Sequence, residues 1–245
     1  MNAPIRPLRF STLVDVELRK MTDTRASYGL LATIGGLLVL VLGWKVAHPA
    51  VPATFHNYAA ASAAVVAYAA PILALLAMSA EWTQRTALTT FTLAPRRLSV
   101  MSAKLVSALL LSATLAVVAL VLTAAGVALA GVAHGGASFG NVGADVRGVM
   151  SIVLLHTLLG AAFGALAAQS TVALGVYFLA PIIWSNVVSQ LLHGASGWLD
   201  IFVAYDRLAS ARPLADPALT AVAVSVWVLI PLALGMARSL RREIT

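Results

Sequence analysis

The sequence predicts an all-α integral membrane protein, one transmembrane domain over residues 1–245 built from six transmembrane helices. Three observations carry this. Hydrophobic residues make up 60% of the chain and charged residues only 10%; a soluble domain carries roughly 25% charged residues, so too few polar groups are present to cover a water-facing surface. Six apolar stretches have about the 20 residues a helix needs to cross a hydrocarbon core roughly 30 Å thick. These stretches are continuously apolar rather than alternating, which favours helices over barrel strands.

In chain order, residues 11–24 come first. Thr12 with Asp15 reads as a capping signature. Val14, Leu18 and Met21 share one face beside Leu13, while Asp15–Arg19 and Glu17–Lys20 supply charge pairs on the other side. The expectation is a short amphipathic helix along the inner membrane interface, or else a basic juxtamembrane tail held by anionic lipid. No cleavable signal peptide is evident, since Arg6, Arg9, Arg19, Lys20 and Arg25 interrupt any apolar core there.

The spans are expected at Tyr28–Ala47, Tyr58–Ala80, Leu105–Gly131, Val149–Ala168, Thr171–Leu192 and Leu219–Met236. The third is the longest and should tilt or protrude. Only Gln169 and Ser170 join the fourth and fifth, which predicts a tight antiparallel hairpin, and Gly160 with Gly164 forms a small-xxx-small pair suited to close helix approach. Between the fifth and sixth spans, residues 193–217 are long and only partly polar; Trp198, Phe202 and Tyr205 recur at helical spacing. This predicts either a re-entrant or interfacial segment of short helices or an aromatic belt.

Orientation follows from the basic residues. With both termini cytoplasmic, the inside collects twelve: Arg6, Arg9, Arg19, Lys20, Arg25, Arg85, Arg96, Arg97, Lys104, Arg238, Arg241 and Arg242. The outside keeps four: Lys45, Arg147, Arg207 and Arg212. This asymmetry accounts for the net charge of +7 as topology, without nucleic acid.

Chemistry-bearing residues are sparse. No cysteine occurs; neither a phosphate-binding Gly-x-x-x-x-Gly-Lys-Ser/Thr loop nor a His-Glu-x-x-His metal motif is found. No catalytic, cofactor-binding or metal residue is assigned, and any nucleotide chemistry falls to a partner. His156 lies within the fourth span, where a relay or ligand role competes with a hydrogen bond to a neighbouring helix. In the fifth span Ser185, Asn186, Ser189 and Gln190 follow Pro181, which should kink the helix; these polar groups mark either a transport path or a helix interface. Gly194-Ala195-Ser196-Gly197 is similar to the nucleophile motif of rhomboid intramembrane proteases, but the final span carries no histidine to act as base.

Between the second and third spans lies a polar, basic stretch from Glu81 to Lys104, too long for a simple turn. Glu81, Arg85, Thr86, Ala94-Pro95-Arg96-Arg97 and Lys104-Leu105, together with the amphipathic leading helix, six spans, minimal loop after the fourth and long segment before the sixth, resemble the permease subunit of type-2 ABC transporters. The resemblance covers the whole chain. One departure is Arg85, where relatives often have Gly before the Thr.

The resemblance implies a cytoplasmic coupling helix after the second span that docks on a separate ABC ATPase, with Glu81, Trp82, Arg85, Thr86, Phe91, Arg96 and Arg97 as coupling residues. It implies a second permease copy or a sister permease, ATP and Mg in the partner rather than in this chain, and a place in the bacterial cytoplasmic membrane. Trp82 and Phe91 are bulky anchors, Glu81 and Arg85 can pair at i, i+4, and Arg96 and Arg97 suit an acidic surface or anionic headgroups. The implied task is export of a hydrophobic or amphipathic compound, such as a drug, antibiotic or lipid. The alternatives are a non-transporting anchor or immunity protein that recruits an ATPase, and an intramembrane serine protease.

Overall fold

Six helices are long and apolar enough to cross a membrane in the computed structural model, which describes residues 9–48, 53–83, 96–167, 169–191, 196–210, 213 and 216–241. The chain runs α1 (Phe10–Thr22), α2 (Arg25–Ala47), β1 (Ala53–Thr54), α3 (Phe55–Thr83), α4 (Arg97–His134), β2 (Ala137–Ser138) and α5 (Val142–Leu166). It continues through α6 (Ser170–Ile183), with wide π-helical turns at Trp184–Val188 and a last turn at Ser189–Leu191, into α7 (Ser196–Leu199) and α8 (Ile201–Ala209). The last membrane-length helix is α9 (Pro217–Val224), a π-helical stretch at Ser225–Leu229 and α10 (Ile230–Arg241). A coupling helix, if present, falls in residues 84–95, outside the described residues.

The centre is α3 packed on α5. Gly160 and Gly164 make this contact: a Cβ on Gly160 would lie 2.5 Å from the Pro71 carbonyl oxygen, and one on Gly164 2.5 Å from that of Leu75. The small-xxx-small pair is therefore a backbone-to-backbone seam, as such pairs are in membrane helices. Gly235 repeats the device, its absent Cβ leaving α10 against Ala165. Ser62 and Thr123 join α3 to α4 by a buried 2.8 Å hydrogen bond. With 38 residues, α4 spans about 57 Å at 1.5 Å per residue, well beyond a bilayer core.

Away from this centre, large apolar side chains face outward: Leu40 on α2, Val121 on α4 and Leu179 on α6 are all more than half exposed. Such outward faces suit lipid, since apolar surface in water is costly.

Helix starts and breaks have local causes. The Thr24 hydroxyl accepts from the Ser27 N–H at 3.1 Å and caps α2. The predicted Thr12–Asp15 cap does not form: α1 already begins at Phe10, with Arg9 at the cap position and no side-chain cap. Gly135 and Gly136, at φ 71° and 106°, end α4, a backbone conformation that costs glycine nothing sterically. They let β2 pair with β1, Ala53 opposite Ala137.

Trp198, Phe202 and Tyr205, at helical spacing in the sequence, fall on two short helices. Asp200 separates these helices and accepts the Phe202 N–H at 2.8 Å, capping α8, so Trp198 sits on α7 and Phe202 and Tyr205 on α8. Trp227 donates to the Leu199 carbonyl at 2.7 Å and Arg147 to that of Ser210 at 3.2 Å. These bonds fold the segment back along α5 and the last long helix.

Candidate functional site

Polar groups concentrate at the end of the bundle where α3 ends and α4 begins. Three ionisable side chains are buried there: Glu17 on α1, Glu81 on α3 and Lys104 on α4. The Lys104 ammonium lies 2.6 Å from Glu81, 2.9 Å from Glu17 and 3.0 Å from the Ala77 carbonyl. Its three N–H donors thus meet three acceptors, a full complement for an ammonium. Lys20 adds a second cation on Glu17 at 2.7 Å, so two carboxylates face two ammonium groups. Ser107 donates to the Val14 carbonyl at 2.9 Å, fixing α1 along α4.

Burial alone would raise the Glu17 carboxyl, but the Lys104 charge and hydrogen bond, then Lys20, outweigh it and hold the group below its ordinary value of 4.5. A carboxyl depressed by folding stabilises the fold above its unfolded pKa and loses that contribution as pH falls through the folded one. Unfolding measured from pH 7 down to about pH 3 should show this acid loss, and Glu17→Gln should flatten it; an unchanged pH slope in the variant would contradict the pairing.

The chain on either side of residues 84–95 is pinned to other helices. On the α3 side, Thr83 and Ser79 lie 2.9 and 2.8 Å from the Ser170 hydroxyl at the start of α6. On the α4 side, Arg97 donates to the carbonyls of Ser239 and Leu240 at 3.1 and 3.4 Å, where a cation also complements the C-terminal end of a helix dipole. Arg96 stands exposed at the start of α4.

The sequence-predicted residues therefore divide. Glu81 is held by Lys104, from the next long helix, and Arg97 by α10. Arg85, Thr86 and Phe91 lie outside the described residues, as do the side chains of Trp82, Ser189 and Ser196. In the π-helical turn after Pro181, Asn186 is exposed and donates to the Ile182 carbonyl of its own helix at 2.9 Å; Gln190 is also exposed. His156 bonds within its own helix, Nδ1 to the Ile152 carbonyl at 3.0 Å, and stacks on Tyr205 at 3.9 Å between ring centroids.

Sequence reasoning missed Glu17 and Lys104 as buried partners. The sequence reading puts Glu17 with Lys20 on the polar side of α1, whereas it is buried against α4 because Lys104 neutralises it there; its spacing, three residues after Val14 and four before Met21, was the signal present.

No family model matches the chain, and a comparison with curated proteins finds no match.

Proposed function

We propose that the chain is the membrane-spanning permease subunit of a type-2 ABC exporter. In this reading residues 84–95 are the coupling segment, α1 lies along the inner interface and both termini are cytoplasmic. The chain pairs with a second permease, and a separate ATPase supplies ATP hydrolysis to move a hydrophobic or amphipathic compound outward. The observation that carries the reading is the anchoring of that segment. Thr83 before it is bonded to α6, Arg97 and Lys104 after it are bonded to α10 and α1, and Glu81 pairs with Lys104 to join the two flanking helices. A push on the segment therefore reaches several helices at once, and at Lys104 it does so through buried, satisfied contacts, which transmit displacement because packed interiors do not deform continuously. The excess of Lys and Arg at this end of the bundle supports its cytoplasmic placement.

The test is co-purification with a candidate ABC ATPase subunit co-expressed with this chain. Trp82→Ala with Phe91→Ala should weaken binding by about thirtyfold or more, the scale of losing a large interface anchor, while membrane insertion is unchanged. Undiminished binding would remove the docking assignment. ATP-dependent movement of compound in reconstituted vesicles, lost without the ATPase, separates a transporter from a non-transporting anchor.

A further inference from the structure

A pocket of about 280 Å³ opens between α3, α5 and α8. One wall is small and apolar, made by Ala63, Ala64 and Ala67 of α3. The other is aromatic. His156 and Tyr205 are stacked, Tyr68 stands edge-on to His156 at 6.0 Å, and Phe202 stands edge-on to Tyr205 at 6.1 Å. Ring faces attract cations. Asp206 brings a carboxylate to the same pocket, with no ion pair among the described residues. No lysine or arginine among the described residues lines it. Tyr205 is 5% exposed, and its buried hydroxyl has no hydrogen-bond partner among the described residues.

We propose that this pocket binds a protonated amine carried on an apolar body. The ammonium meets Asp206 and the aromatic wall, and the body lies against the alanines. Each element is needed: a neutral ligand leaves the carboxylate and rings unused, and an anion meets Asp206 with no cation to offset it. The inference goes beyond the transport reading, because binding is an equilibrium property of this chain and needs no ATPase. The same chemistry is offered by a free amphipathic amine and by the headgroup of phosphatidylethanolamine.

The experiment uses the full chain in nanodiscs of phosphatidylglycerol alone, with labelled phenethylamine as probe. Propylbenzene, of the same shape without the charge, and phosphatidylethanolamine serve as competitors. Saturable phenethylamine binding is expected, with propylbenzene competing at least about tenfold more weakly. Asp206→Asn should weaken phenethylamine by about tenfold, the scale of a hydrogen bond to a charged group, and should not weaken propylbenzene. Ala64→Leu should fill the pocket and abolish binding, with the unfolding midpoint showing that the fold survives. Displacement by phosphatidylethanolamine supports the site with a lipid headgroup as its occupant; no displacement supports it with a free amine. The proposal is overturned by absent saturable binding, by equal competition from propylbenzene, or by unchanged affinity in Asp206→Asn.

Discussion

Lys104→Met is expected to destabilise the folded chain by about 3–5 kcal/mol, the cost of removing one partner from a buried ion pair. Lys104 is 1% exposed, and Glu17 and Glu81 are each 4% exposed. Without the ammonium, Glu81 loses its 2.6 Å partner, while Glu17 keeps Lys20. Methionine restores the volume of the stem but none of the three hydrogen bonds, so the loss is electrostatic rather than a cavity. Denaturant titration of the purified chain in mixed micelles measures it. The combination Lys104→Met with Glu17→Gln and Glu81→Gln should recover much of the loss, because replacing a whole buried ion cluster by neutral groups is often close to neutral. A single variant within about 0.5 kcal/mol of the unsubstituted chain would show that the cluster is wet and not a structural joint. Alpha1, the end of α3 and the start of α4 should loosen together in hydrogen exchange, since the cluster is the contact they share.

Gly164→Val should rank second. A Cβ at this position falls 2.5 Å from the Leu75 carbonyl oxygen and 2.8 Å from the Leu75 Cα, and the opposing atoms are backbone, which cannot rotate away. Even Gly164→Ala should cost about 1–3 kcal/mol as overpacking, and valine more. Gly175 is the control: nothing lies within 4 Å of a Cβ placed there, so Gly175→Ala should be neutral or stabilise by up to about 1 kcal/mol through helix propensity. Thermal unfolding in detergent compares the three variants. If Gly164→Ala and Gly175→Ala behave alike, the α3–α5 seam is not the close contact described.

Much of this architecture was legible because apolar length is a local property. The six membrane-length helices coincide with the six apolar runs, and their differences are at the ends, where polar residues such as Arg97 and Val142–Arg147 extend a helix beyond its apolar stretch. The Gly160–Gly164 pair marked a close approach, but its spacing could not say that Pro71 and Leu75 lie opposite. The expected Thr12–Asp15 cap failed because the helix starts earlier, with α1 held on α4 by Glu17–Lys104 and Ser107–Val14.

The candidate site was half legible. Glu81, Arg97 and Lys104 stood out as charges beside long apolar runs, but were read as signals of orientation or as a surface for a partner. His156 was read as alone; the fold brings Tyr68, Phe202, Tyr205 and Asp206 to the same pocket.

The sequence by itself determined that the chain has six helices long and apolar enough to cross a membrane and where its apolar runs lie, because hydropathy is read along one dimension. Only the tertiary structure decided which charges are buried and what neutralises them. Glu17 and Lys104 are 87 positions apart in the chain, and no periodicity links them. Their pairing follows from the helix faces that pack together, where a buried ammonium is tolerated only with its acceptors in place.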